Sequence, residues 1–294
     1  MIKPHFLVIG AYKSGTTALH HYLRVHPEIF IPERKEPNYY AFADQTRPFN
    51  HPAASGSIRT QAEYESLFAQ ARQGQVLGEV SPAYMAASGA CARIYEDAPD
   101  VRLIAILRNP IERAYSDFLM YKRDGLEHEE QFIDALKDQD RRDSSLDPTS
   151  HYISTGFYFE QLRPYFETFD REKIHILLHE EFVSERDHAL MEIFRFLGID
   201  HSVEIPDQSA SNVSGVPTTL SLRAAYAVRN QVRDRLRKFV PEDLKRKMNS
   251  SLERRLTKEP LSPDARSWLT DIYRSDIENL GALVNLDLSS WLRT

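Results

Sequence analysis

The residues Gly10-Ala11-Tyr12-Lys13-Ser14-Gly15-Thr16-Thr17 combine types that bind anions. A strand-like run, Phe6-Leu7-Val8-Ile9, precedes them, and a helical stretch over about Thr16–His26 follows. A glycine-flanked turn at such a junction offers backbone N–H groups and a helix N-terminus to a phosphate. Lys13 adds a point charge, and Ser14, Thr16 and Thr17 add hydroxyl donors. The Walker A arrangement requires its lysine directly after the second glycine. Here Lys13 precedes Gly15, which disfavours a nucleotide kinase or ATPase. The plain alternative is an ordinary strand–helix turn with incidental hydroxyls.

A second constellation lies in Leu103–Ser116. Arg108 ends a strong apolar run, Val101–Leu107, and Asn109-Pro110 reads as an N-cap followed by a first helical residue. Open α/β sheets bind ligands off the carboxyl ends of their strands. A guanidinium there forks onto a phosphate, and Ser116, about two turns into the next helix, would complete the shell. A strand-end salt bridge is the competing reading of Arg108. Arg113 is expected to face solvent.

Positioning these groups requires a sheet. Short β-like runs alternate with helical stretches, which predicts an α/β protein: a P-loop-like three-layer fold with a central parallel sheet flanked by helices. Strands are expected at Phe6–Ile9, Ile29–Ile31, Val76–Gly78, Val101–Leu107 and Ile174–Leu178. Helices are expected at Gln61–Ala71, Pro110–Asp124, Glu129–Gln139, Tyr158–Phe169 and Asp187–Leu197, the last ended by Gly198. Polar stretches Asp44–Ser57 and Arg141–Pro148 read as loops. Beyond Pro217 the chain reads as successive helices. The expectation is one domain over 1–294, with a core over 1–215 and a helical C-terminal part over 216–294.

Composition narrows the class. With 294 residues, 41% hydrophobic and 27% charged, the chain can bury a sizeable core and is not disordered as a whole. One cysteine, Cys91, excludes an intramolecular disulfide or a cysteine-based zinc site. The longest apolar run, Leu103–Leu107, is far short of a membrane span. The opening residues show no secretory pattern, so a soluble cytoplasmic protein is expected. A net charge of −6 gives no prior for nucleic-acid binding. That charge is uneven: twelve Lys/Arg against four Asp/Glu stand between Ser221 and Lys258. Such a segment could meet an acidic acceptor or a membrane surface, or simply be a solvated helical face.

At Lys13-Ser14-Gly15-Thr16-Thr17 the chain resembles the sulfotransferases that use 3′-phosphoadenosine 5′-phosphosulfate (PAPS). It is most similar to the heparan-sulfate sulfotransferase branch and its bacterial relatives. His26-Pro27 and Lys35-Glu36-Pro37-Asn38-Tyr39-Tyr40 carry that likeness further, as do Glu79-Val80-Ser81-Pro82-Ala83-Tyr84 and Gly156-Phe157-Tyr158. The likeness runs with gaps from about Phe6 to Gly198. It implies transfer of a sulfuryl group from PAPS to an acceptor hydroxyl or amine, with 3′-phosphoadenosine 5′-phosphate (PAP) as product and no metal required. It implies that Lys13, Ser14, Gly15, Thr16 and Thr17 hold the 5′-phosphosulfate, that Arg108 and Ser116 hold the 3′-phosphate, and that Tyr158 abuts the nucleotide. Glu36 matches the general base of that branch, with Lys13 at the leaving group; His26 and Glu33 are the lesser candidates for base. Lys35, Glu79 and Tyr84 are expected on the acceptor side, and the acceptor itself to be a glycan or small molecule. Val80 stands where some relatives carry a lysine, which argues against a highly sulfated polysaccharide. The loop 211–217 suits a cap over the nucleotide. A P-loop nucleotide kinase and a non-catalytic nucleotide-binding protein are the alternatives.

Overall fold

The apolar runs too short to make helices pair into one parallel sheet in the computed structural model of the chain, which describes residues 3–42, 56–138, 151–206, 216–217, 256–257 and 259–293. The first elements are β1 (Phe6–Gly10), α1 (Thr16–Val25), β2 (Ile29–Phe30), α2 (Tyr39–Phe42), α3 (Gln61–Ser66) and β3 (Val76–Val80). Then come α4 (Ala83–Ala86), α5 (Ala90–Asp97), β4 (Arg102–Leu107), α6 (Pro110–Asp124), α7 (Phe132–Lys137) and α8 (Tyr158–Thr168). The chain continues with β5 (Ile174–Leu178), α9 (His179–Ser184), α10 (Arg186–Leu197), β6 (Val216–Pro217), β7 (Leu256–Thr257) and α11 (Pro263–Val284). Among the described residues, no helix is long and apolar enough to cross a membrane.

The chain divides into two compact units: one of Met1–Asn109, Phe157–Gln208 and Arg274–Leu292, the other of Pro110–Gly156, Ser209–Tyr273 and Arg293–Thr294. The first unit holds the sheet, in the order β2-β3-β1-β4-β5, every pair parallel. β1 is central, with Val8 opposite Val80 on one side and Ile104 on the other. Strands flanked on both faces read as continuous apolar runs rather than alternating ones. Accordingly β1 is buried throughout, and β4 is buried from Leu103 to Leu107. Leu19 and Leu23 of α1 and Ile193, Phe194 and Leu197 of α10 close the core against β1 and β4. Fully burying such a side chain contributes about 1.5–3 kcal/mol. Gly198 ends α10 with φ 72, a left-handed cap that suits glycine.

In the same unit, Asp276 accepts the Phe159 N–H at 3.1 Å, at the start of α8. It is 7% exposed, and burial pushes its carboxyl up from 3.8 to about 6. Between those values the folded chain binds the proton more tightly than the unfolded chain does. The resulting stabilisation is present in full below the ordinary Asp value and is lost as pH rises through about 6. Asp276→Asn should flatten the dependence of Tm on pH across that window in thermal scans. An unchanged slope would assign the linkage to another group.

The second unit packs the rings of Tyr115, Phe118, Phe132 and Tyr152, with Phe118 and Phe132 centroids 5.1 Å apart. Arg113, expected in solvent, is fully buried here. Its guanidinium pairs with Asp117 at 3.2 Å and donates to the Tyr152 carbonyl, while the Tyr152 hydroxyl donates to Glu127 at 2.8 Å. A charge without such partners could not be interior. Glu112 pairs with Arg266. Val216–Pro217 and Leu256–Thr257, expected within a helical C-terminal part, are strands that pair antiparallel, because each satisfies its backbone groups on the other rather than within a helix.

Most local expectations hold within a residue or two, including the limits of α6. α3 is shorter than expected because the chain turns after Ser66, and β3 runs two residues further, to Val80. The basic stretch 221–258 lies outside the described residues except for 256–257, as do 211–215 of the proposed capping loop and all of 141–148.

Candidate active site

The carboxyl ends of β1 and β4 lie side by side because the Ala11 N–H donates to the Ile106 carbonyl at 2.7 Å. This register sets Arg108 beside the turn that follows β1. Its Nη1 donates to the Lys13 carbonyl at 3.1 Å, across 95 residues of sequence. Lys13 has φ 60 and Gly15 has φ 94. For a residue with a Cβ, such left-handed backbone costs about 1–2 kcal/mol. Gly15 is also the N-cap of α1 and supplies no side-chain cap, so the first-turn N–H groups of α1 are not closed off by a capping hydroxyl. A Cβ on Gly15 would stand 3.2 Å from Cδ2 of His179, too close for an unshifted neighbour.

His179, the first residue of α9, is a member of this cluster that the sequence reading missed. Burial first, and the Arg108 charge second, push its imidazole down to about 4, so it is neutral at physiological pH. Its signal was topological: it follows β5 as Arg108 follows β4, at a carboxyl strand end. Ser14 is fully buried, its Oγ 3.3 Å from the Tyr12 carbonyl, and Thr16 is 4% exposed; Thr17 is half-buried. The turn therefore offers backbone, Lys13 and Thr17 more readily than the hydroxyl of Ser14.

The Lys35-Glu36-Pro37-Asn38 loop is tied to the end of β3. The Glu36 N–H donates to the Val80 carbonyl at 3.0 Å, and the Asn38 N–H to Ser81 Oγ at 3.1 Å. Glu36 and Asn38 both have left-handed backbone, φ 58 and 54. Strain of this kind persists only where the surroundings over-determine it. Lys35 Nζ contacts Glu36 Oε1, and both side chains keep partial exposure, 22% and 32%. Glu36 is thus a held but reachable carboxylate. His26 is not a comparable candidate: it is 1% exposed, with Nε2 on the Asp200 carbonyl at 2.8 Å and Nδ1 accepting the Glu28 N–H at 3.2 Å.

Besides Ser14 and Thr16, four expected ligand contacts, Glu79, Tyr84, Tyr158 and Ser116, are interior side chains here. Glu79 is 1% exposed and accepts from Tyr84 at 2.5 Å, Ser81 at 2.9 Å and Tyr64 at 3.3 Å. Burial pushes its carboxyl up to about 7. Tyr84 is fully buried on that carboxylate. Neither presents a surface to an acceptor. Tyr158 is fully buried, edge-on to Trp291 with centroids 6.4 Å apart, which is core packing rather than the wall of an open site. Val80 is 1% exposed in the sheet core, so its lack of charge says nothing about the acceptor. Ser116 lies on α6 in the second unit and is 2% exposed.

Residues 3–259 match the sulfotransferase domain family. The chain belongs to that family. This sulfotransferase domain is 28% identical over 198 residues to mouse heparan sulfate glucosamine 3-O-sulfotransferase 3A1, covering 67% of the chain and 46% of that protein. It is 25% identical over 247 residues to human carbohydrate sulfotransferase 15, covering 67% of the chain and 44% of that protein. The chain therefore spans less than half the length of these two relatives. A crystal structure of a sulfotransferase from Alicyclobacillus acidocaldarius superposes with a TM-score of 0.78 at 28% identity, covering all of both chains. The sulfotransferase domain thus has its sheet and its Lys13 turn in a fold shared over the full length with a solved sulfotransferase.

Proposed function

We propose that the chain transfers the sulfuryl group of PAPS to an acceptor hydroxyl or amine, with Glu36 as general base. The observation that carries this reading is the Lys13 turn itself. Left-handed φ at Lys13 and Gly15, an N-cap without a side chain, and Arg108 locked to the Lys13 carbonyl make a cradle suited to a phosphate-bearing donor. When bound, PAPS supplies an activated sulfuryl group on a phosphate leaving group. Lys13 neutralises charge building on the leaving oxygen, and Glu36 accepts the acceptor's proton. Such transfers depend mainly on positioning and electrostatics, as phosphoryl transfers do. Lys35 pairs with Glu36 and so helps hold the carboxylate in place.

The names of the relatives support a carbohydrate acceptor. The test is a screen with labelled PAPS across heparosan, heparan sulfate, simple sugars, lipids and phenols. PAP binding without transfer to any of these would favour a nucleotide-binding protein instead. The contribution of Arg108 is read separately. Arg108→Ala should weaken PAP binding by about 10–100-fold, the value of a charge-assisted contact, with a smaller effect on turnover at saturating donor. A calorimetric PAP titration indistinguishable from wild type would remove Arg108 from the donor site.

A further inference from the structure

We propose that Glu79 is a positioning residue for Glu36, acting through Ser81 on the Glu36-Pro37-Asn38 turn. The inference rests on the reading of Glu36 as base. Glu79 itself cannot be the base, because it is 1% exposed and both its oxygens are engaged: Oε1 by the hydroxyls of Tyr84 and Tyr64, Oε2 by that of Ser81. The remaining question is why a carboxylate sits near the end of β3, an interior strand, where an apolar side chain would carry no desolvation penalty.

Hydrogen-bond polarity answers it. The Ser81 hydroxyl has one proton, and the carboxylate fixes where that proton goes. With the O–H committed to Glu79, the Ser81 lone pairs remain for the Asn38 N–H, 3.1 Å away. The chain runs one way: Asn38 N–H to Ser81 Oγ, Ser81 O–H to Glu79 Oε2. One residue upstream of Ser81, the Val80 carbonyl takes the Glu36 N–H at 3.0 Å. Two bonds from one short segment thus clamp the two left-handed residues of the turn, Glu36 and Asn38. Ser81 is itself held to the sheet by its N–H, which donates to the Val8 carbonyl of β1 at 3.0 Å. The base is thereby referenced to the same central strand that carries the Lys13 turn.

The clamp is also electrostatically coupled to the base. The titratable groups facing Glu79 are the phenols of Tyr40 on α2, Tyr64 on α3 and Tyr84 on α4, together with the Glu36 carboxylate. Burial holds Glu79 near 7, and the Glu36 charge adds to that rise. Protonating Glu79 places a donor where three donors already converge, so the ionised form maintains the chain. Turnover that depends on the clamp should therefore decline as pH falls through about 7.

The test uses the full chain with Ser81→Ala and Glu79→Gln, and Glu36→Gln alongside. Amide hydrogen exchange needs no acceptor. Both clamp variants should speed exchange about tenfold or more in the 35–38 segment while β1 and β4 amides keep wild-type protection. PAP affinity should stay within about twofold, while turnover of heparosan at saturating PAPS falls about 100-fold, as a misplaced base predicts. The limb of the pH profile near 7 should vanish in Glu79→Gln. Unchanged exchange at 35–38 in a folded variant overturns the proposal. So does accelerated exchange spread over the whole sheet, which would make Glu79 merely structural. If Glu79→Gln does not fold, Ser81→Ala carries the test alone. Full activity in Glu36→Gln would sink the base assignment instead, a result separable from either clamp outcome.

Discussion

Lys13→Ala should lower the rate of sulfuryl transfer by roughly 10²–10³-fold and leave the fold intact. The magnitude is that of deleting one preorganised donor aimed at developing charge. As sulfur leaves the donor phosphate, negative charge gathers on the bridging oxygen, and an ammonium fixed at the turn is worth more there than in water. The link between residue 13 and Arg108 runs through the backbone and survives the substitution. Arg108 binds the Lys13 carbonyl, which alanine retains. Left-handed backbone at position 13 costs alanine about what it costs lysine, so the turn persists. Initial rates at saturating labelled PAPS measure the loss, with PAP affinity and Tm as controls. A rate near wild type would place the Lys13 ammonium away from the reacting atoms.

The second large effect is expected from Glu36→Gln, which should abolish turnover by about 10²–10⁴-fold and leave PAP binding intact. Glutamine preserves the volume of the side chain and the clamp on its backbone, since the Glu36 N–H to Val80 bond is unaffected. It removes only the capacity to take a proton and the pairing with Lys35. The experiment compares turnover with PAP affinity measured by calorimetry. Parallel losses in both would mean that residue 36 shapes the donor site rather than the proton transfer. Retained turnover would move the base along the loop to Glu33, because the ring nitrogens of His26 are both engaged in the interior.

The two predictions separate because the two groups come from different elements that meet at one end of the sheet. Lys13 follows β1, and Glu36 is pinned to the end of β3, the neighbour of β1. Arg108 and His179 follow β4 and β5 at the same end. This is where a parallel sheet gathers the ends of its strands.

The sequence by itself determined the local grammar of the chain. The run Phe6–Ile9, the glycines of the turn, the Asn109-Pro110 helix start and the Gly198 stop are each decided by a few neighbouring residues. Their secondary structure follows from backbone sterics, capping and periodicity, which need no distant partner. Tertiary structure alone decided which polar groups are interior. Arg113, Glu79, His26 and Tyr158 look in sequence like surface or site residues, and all are buried. Burial of a polar group depends on whether a partner arrives from elsewhere: Tyr64 and Ser81 for Glu79, Asp200 for His26, Tyr152 for Arg113. Strand order is nonlocal in the same sense. It fixes the 3.1 Å link between Arg108 and the Lys13 carbonyl, because pairing energy is gained between segments that the sequence holds far apart.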